Sequence, residues 1–358
     1  MRLIECNAET LKQADLEDSW LPSESLRMRA RLRSGSWHGT RPATAFVLSG
    51  GGARGALHVG AMRALLEYGE HPDMLVGTSI GAWNAAWLAR MPTLAGVEQL
   101  AEVWRGLRPA QVLLGRGSSR ISSLMLRCML LVSALRRIAN GSASLYSDVG
   151  MRQIVAQYLG DDTFEQLALP LRVIATDLSH GGRAVFKSGA VAPAVLASSA
   201  IPGIFPPVRI GNNYYADGGA VDGCSIETAV ELGAQRIFVL AIGYDTEGDG
   251  GAPWVSAARS TSARWPTSRS TAAAIQRASQ VMGNYQIQRA LERVPAHVET
   301  HIISLATGDG GGTLSFRDTS TWIERAYFAT RDYLRAALPA ERGMQSATIH
   351  TSTMAVPA

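Results

Sequence analysis

Gly77-Thr78-Ser79-Ile80-Gly81 spells GxSxG. A serine centred between two glycines suits a sharp strand-to-helix turn that holds its hydroxyl clear of the backbone, where it can attack an acyl carbon. Small residues two positions to either side let strand and helix pass close together. The short apolar run MLVGT (74–78) precedes the serine, and the helix-patterned IGAWNAAWLAR (80–90) follows it. The motif therefore stands in the strand–turn–helix setting that it needs. The helix also aims its N-terminal dipole at the charge that develops during attack.

A second feature lies just upstream. GGGARG (Gly50, Gly51, Gly52, Ala53, Arg54, Gly55) sits between the run TAFVLSG and a helical segment. Glycines leave backbone N–H groups uncovered, and a helix N-terminus adds positive potential, so the loop is an anion hole. A nucleotide P-loop would need Gly-Lys-Ser/Thr where this chain has Arg-Gly-Ala. Gly50, Gly52 and Gly55 do spell the dinucleotide pattern GxGxxG. That pattern also wants an acid at the end of the next strand, where this chain has GTSIG, and Asp73 stands at the strand's beginning. The third anion is the oxyanion of a tetrahedral intermediate, held by a loop that faces Ser79.

A serine nucleophile needs a base. Of the seven histidines, His297 and His301 flank a late strand and come after an acid in chain order, as a Ser-acid-His triad requires. His58 sits on the first helix, where a packed or surface role fits better. Asp217 in YADGG is the stronger candidate, at a strand end with Gly218 and Gly219 behind it. Desolvation beside Ser79 would raise its proton affinity toward that of a working base.

The elements that must carry these residues read as alternating strands and helices. Strands are expected at 44–50, 74–78, 171–178, 184–189, 236–244 and 297–306, with a hairpin around Gly211. Helices are expected at 56–69 (closed by Gly69), 80–90, 191–200, 225–233, 273–294 and 320–338. Such alternation predicts an α/β fold, three layers with helices on both faces of a central, mostly parallel sheet. In it both glycine motifs emerge at the carboxyl ends of neighbouring strands, where ligands bind.

With 46% hydrophobic and 18% charged residues, the 358-residue chain can bury a sizeable core. Cys6, Cys128 and Cys224 are too few and too scattered for a disulfide framework or a zinc site. No signal peptide and no run of 18 apolar residues is seen, so a cytoplasmic or peripheral membrane location is expected. Residues 103–147 contain no acidic residue but carry Arg105, Arg108, Arg116, Arg120, Arg127, Arg136 and Arg137. Within them ISSLMLRCMLLVSALRRIA is a basic amphipathic helix. It fits a helix lying in a membrane interface, a lid, or a core helix with an arginine end.

GGGARG, GTSIG and DGG in this order resemble the patatin-like phospholipase family. ASSAIPG (197–203) running into Phe205-Pro206-Pro207, and ATDLSHGGRAVFKSG before it, agree. The resemblance spans about 44–230. It divides the chain into an arginine-rich N-terminal extension (1–43), a patatin-like domain (44–230), and a C-terminal part (231–340) that completes the fold. That last part includes a loop insertion at 245–272, and a tail (341–358) follows it. The resemblance implies a Ser–Asp dyad with Ser79 as nucleophile and Asp217 as general base. It implies an oxyanion hole in the glycine loop, with Gly51, Gly52 and Ala53 nearest the oxygen. It implies hydrolysis of fatty acyl esters of phospholipids, lysophospholipids or acylglycerols, with no metal or other cofactor; no nucleic acid partner is expected. One departure stands out, since Asp222, Gly223 and Ser225 occupy positions where the family commonly has an Asn and a Pro. Two rivals remain at this stage, a Ser-Asp-His triad esterase and a catalytically silent lipid-binding relative.

Overall fold

The structure, a computed structural model, describes residues 43–115, 122–244, 271–306, 316 and 318–338. The N-terminal extension up to residue 42, the 341–358 tail and all but the last two positions of the 245–272 loop lie outside them.

β1 (Thr44–Leu48) and β2 (Met74–Thr78) pair in parallel, with Leu48 opposite Gly77. Alternate residues of β1 enter different cores. Phe46 and Leu48 join the core of one face, while Ala45 and Val47 join the core of the other. This explains why the strand reads as an uninterrupted apolar run instead of an alternating one.

Between them runs α1 (Ala56–Glu67), which closes as expected at Gly69, in the left-handed region at φ 91°. β2 leads into α2 (Ile80–Arg90), and α3 (Leu94–Gly106) and α4 (Pro109–Leu114) follow. Next come α5 (Ser123–Ala139) and α6 (Val149–Leu159), then β3 (Leu171–Asp177), β4 (Arg183–Phe186) and α7 (Val191–Ser198). The hairpin around Gly211 joins β5 (Val208–Ile210) to β6 (Asn213–Asp217). α8 (Ile226–Glu231), β7 (Arg236–Ile242), α9 (Thr271–Leu291), β8 (Glu299–Leu305) and α10 (Thr319–Ala337) complete the order.

These strands form one eight-stranded sheet in the order β5-β6-β3-β2-β1-β7-β8, with β4 beside β3. The pairs β3–β2, β2–β1, β1–β7 and β7–β8 are parallel; the pairs that involve β4, β5 and β6 are antiparallel. The fold is the expected α/β sandwich with a mostly parallel sheet. One core lies between the sheet and α1, α2, α3 and α10, and the other under α8 and α9. α10 packs so closely on α1 that a Cβ on Gly60 would sit 1.9 Å from the Ile323 carbonyl oxygen.

β3 is the template for the site. Its Ile174 pairs with Thr78 of β2, and its next residue, Ala175, pairs with Asp217 of β6. β4 already occupies the other edge of Ala175 and Thr176, so β6 must lie on the edge that β2 uses. The carboxyl ends of β2 and β6 thus meet head to head.

Candidate active site

Ser79 occupies the turn between β2 and α2 at φ 56°, ψ −126°, and is the one non-glycine residue with positive φ among those described. Such a conformation costs about 1–3 kcal/mol and persists only where the surroundings over-determine it. They do so here by close packing on both sides. A Cβ on Gly77 would lie 2.5 Å from the Gly81 carbonyl oxygen, and one on Gly81 would lie 2.2 Å from that of Leu48. Ser79 N–H also donates to the Ser198 hydroxyl at 2.7 Å, which in turn donates to the Ile174 carbonyl. Ser198 is fully buried at the end of α7. Its part in holding the elbow was hidden in the sequence, because the contact joins residues 119 positions apart.

The Ser79 hydroxyl donates to Asp217 Oδ2 at 2.6 Å. The other carboxylate oxygen, Oδ1, accepts the Gly219 N–H at 2.8 Å, and the Asp217 main chain is held by the Ala200 carbonyl and by Thr176 Oγ1. Burial pushes the Asp217 carboxyl up to about 6, against the opposing pull of the hydrogen bonds from Ser79 and Gly219. A Cβ on Gly218 would strike the Ile174 carbonyl at 2.5 Å, so the chain must be bare where it leaves the aspartate.

The glycine loop lies against the elbow. A Cβ on Gly50 would come within 3.4 Å of Ser79 Cβ. Gly50 N–H itself donates to the Gly223 carbonyl at 3.0 Å and is therefore occupied. No acceptor among the described residues takes the Gly51 or Gly52 N–H. A 3-10 turn from Gly52 to Gly55, through Ala53 and Arg54, then feeds α1. The Arg54 guanidinium donates to the Gly51 carbonyl at 3.2 Å, and burial pushes its pKa below the ordinary value. It adds positive charge beside the loop.

The far end of this loop rests on a polar network inside the core. Asn84 Nδ2 donates to the Gly55 carbonyl at 2.9 Å and contacts His58 Nδ1, while Trp104 Nε1 donates to Asn84 Oδ1. His58 Nε2 donates to the Leu240 carbonyl, which leaves Nδ1 as the acceptor. Complete burial pushes the imidazole down to about 3, so it is neutral. His58 is packed, one of the two roles its place on the helix suggested.

The triad candidates lie elsewhere. His301, on β8, bonds Glu299 and Tyr333 and stacks on Phe238. His297 is exposed before the strand begins, at the amino end of the sheet. Asp73 is buried at that same end, where it accepts the Thr44 N–H. Asp222 and Ser225, which follow the DGG motif, form a lock of their own. Asp222 Oδ2 accepts from Arg183 and from Ser225, and its carbonyl accepts the Thr78 hydroxyl. No group of histidines, cysteines and acids that could hold a metal ion occurs among the described residues.

The chain resembles known proteins over part of its length. Over 212 residues the chain is 28% identical to patatin-like phospholipase domain-containing protein 7 of Rattus norvegicus, covering 59% of this chain and 14% of that one. It is 28% identical over 201 residues to lysophospholipase nte1 of Emericella nidulans, covering 56% of this chain and 12% of the other. The matched stretch is thus a small part of these longer proteins. Among solved structures, VipD from Legionella pneumophila aligns with a TM-score of 0.46 at 14% identity, covering 83% of this chain and 67% of that one. The family described as patatin-like phospholipase matches residues 46–230, the stretch that holds the glycine loop, the elbow and Asp217. The chain belongs to the patatin-like phospholipase family.

Proposed function

We propose that the protein hydrolyses fatty acyl esters of lipids, with Ser79 as nucleophile and Asp217 as general base. The observation that carries this reading is the 2.6 Å hydrogen bond from Ser79 Oγ to a buried carboxylate, beside a loop with two unclaimed N–H groups. In the first step Asp217 takes the hydroxyl proton as Ser79 Oγ bonds to the ester carbonyl carbon. The resulting oxyanion is held by the Gly51 and Gly52 amides, helped by the α2 dipole and the Arg54 charge. Collapse expels the alcohol, which leaves with the proton from Asp217, and the acyl group stays on Ser79. Water then attacks the acyl-enzyme, again giving its proton to Asp217, and collapse releases the fatty acid as Ser79 Oγ takes that proton back. The scheme needs no cofactor.

Ser79→Ala should remove turnover across a panel of phospholipids, lysophospholipids and acylglycerols, and with it labelling by a fluorophosphonate probe, while the thermal midpoint stays near that of wild type. Hydrolysis retained by the alanine variant would sink the nucleophile assignment. An unlabelled wild-type protein would favour a silent relative instead.

Contact with a lipid surface is part of the same proposal. Along α5, Met125, Met129, Leu131, Val132, Leu135 and Ile138 are each more than 40% exposed, which removes the reading of this segment as a core helix. Arg136 is exposed at its end, and Arg137 ties that end down through Ser144. An apolar face with arginines and no acids suits an anionic membrane interface. No helix among the described residues is long and apolar enough to cross a membrane. Leu131→Asp and Leu135→Asp together should release the protein from anionic vesicles in a sedimentation assay while leaving hydrolysis of a soluble ester intact. Undiminished vesicle binding would count against α5 as the contact.

A further inference from the structure

After Asp217 the chain turns through Gly218–Ala220 and crosses to α8 by way of Asp222 and Gly223. Two backbone groups of this crossing face α9, the Gly219 carbonyl and the Gly223 N–H. Gln286 of α9 takes both. Its Nε2 donates to Gly219 O at 3.3 Å, and its Oε1 accepts Gly223 N–H at 2.8 Å. The side-chain amide therefore fills the place of a missing peptide partner for a loop that no strand accompanies. The fit is close on the loop side too, since a Cβ on Gly223 would sit 3.0 Å from Gln286 Oε1.

Both tethered residues lead straight to the chemistry. The Gly219 N–H holds Asp217 Oδ1, leaving Oδ2 for Ser79. With its carbonyl held by Gln286 as well, the Gly219 residue is fixed on both its polar groups. The Gly223 carbonyl accepts the Gly50 N–H, so the same amide reaches the base of the oxyanion loop at one remove. We infer that Gln286 is a positioning residue of the active site, setting the Asp217 carboxylate and the glycine loop relative to Ser79. It lies outside residues 46–230, so α9 joins the working unit although the family match ends before it. The helix is pinned nearby by Gln280, which donates to the Gly243 carbonyl, and by the buried Ile287. Its opposite face leaves Val281, Met282 and Tyr285 exposed.

The inference rests on the Ser79–Asp217 reading, and its test separates the two. The full chain carrying Gln286→Met, similar in volume but lacking both hydrogen bonds, is assayed on p-nitrophenyl butyrate, a soluble ester. A loosened carboxylate predicts a loss of about ten- to hundredfold in kcat, little change in KM, and a thermal midpoint within a few degrees of wild type. Gln286→Glu keeps the size and adds a negative charge near Asp217. Its acid limb of kcat/KM should move to higher pH, by about half a pH unit or more. Wild-type kcat per fluorophosphonate-labelled site in Gln286→Met, or an unmoved acid limb in Gln286→Glu, would overturn the assignment. If the methionine variant does not fold, the glutamate variant decides alone. Full turnover by Asp217→Asn would overturn the dyad and the role of Gln286 with it, whereas an inactive Asp217→Asn beside a fully active Gln286→Met removes Gln286 only.

Discussion

Asp217→Asn should lose about 10²–10⁴-fold in kcat and yet melt higher than wild type at pH 8. The activity loss is what removing a general base costs, because the amide keeps the shape and the contact with Gly219 but cannot take the Ser79 proton. The stability gain follows from the sign of the linkage. A carboxyl whose folded pKa is raised to about 6 from an ordinary value near 4 binds its proton more tightly in the folded state. Stability from this group is complete below pH 4 and is lost as pH rises through 6. At neutral pH the ionised carboxylate then costs roughly 3 kcal/mol, a cost the neutral amide avoids. The variant should therefore gain several degrees at pH 8 and nothing at pH 4. The wild-type kcat/KM should fall tenfold per pH unit below about 6. Activity within tenfold of wild type would remove Asp217 as the base. A lower midpoint at pH 8 would show that its charge is not a burden on the fold.

Gly81→Ala should damage fold and site together. Its Cβ would lie 2.2 Å from the Leu48 carbonyl oxygen and 2.6 Å from that of Ser49. Both obstacles are backbone of β1 and its continuation into the glycine loop, so no side chain can rotate away. Relief requires α2 to lift from the sheet, at a cost of about 3 kcal/mol or more. The elbow and the glycine loop would separate as it does so. Denaturant midpoint and fluorophosphonate labelling rate should therefore fall together. Gly106→Ala makes the control, as a Cβ there meets nothing within 4 Å and alanine favours the helix end. Equal midpoints for the two variants would mean the close approach at Gly81 is not what holds the elbow.

Much of this was legible in the chain. β2 and α2 begin and end where the apolar run and the helical pattern around GTSIG place them, because Gly77 and Gly81 mark the close packing directly. The hairpin ending at Asp217 was legible for a similar reason, with turn residues at Gly211 and apolar runs on either side. α3, α4 and α6 were not anticipated. Their apolar stripes bury against neighbours that local pattern does not reveal; Trp104 of α3, for example, finds its partner in Asn84 of α2. The supports of the site were the least legible part. Ser198, Asn84 and Gln286 are ordinary polar residues in helices, and each acts through a bond to backbone or side chain far away in sequence. Gly51 is bare for a reason equally remote, since a Cβ would run into the Ile242 side chain of β7.

The head-to-head meeting of β2 and β6 on β3 also has a consequence for how the chain comes of age. Ser79 and Asp217 are 138 residues apart, and Ile174 and Ala175 bring them together. On the proposed dyad, a growing chain that has released the elbow, the glycine loop and the first four helices would still have no base. It would gain one only after β3 is in place and β6 has docked end-on to β2. An N-terminal fragment, or a chain stalled during synthesis, should therefore be inert toward lipid esters under the proposed mechanism. On that reading, competence would arrive with the completed sheet and be lost as soon as the sheet opens.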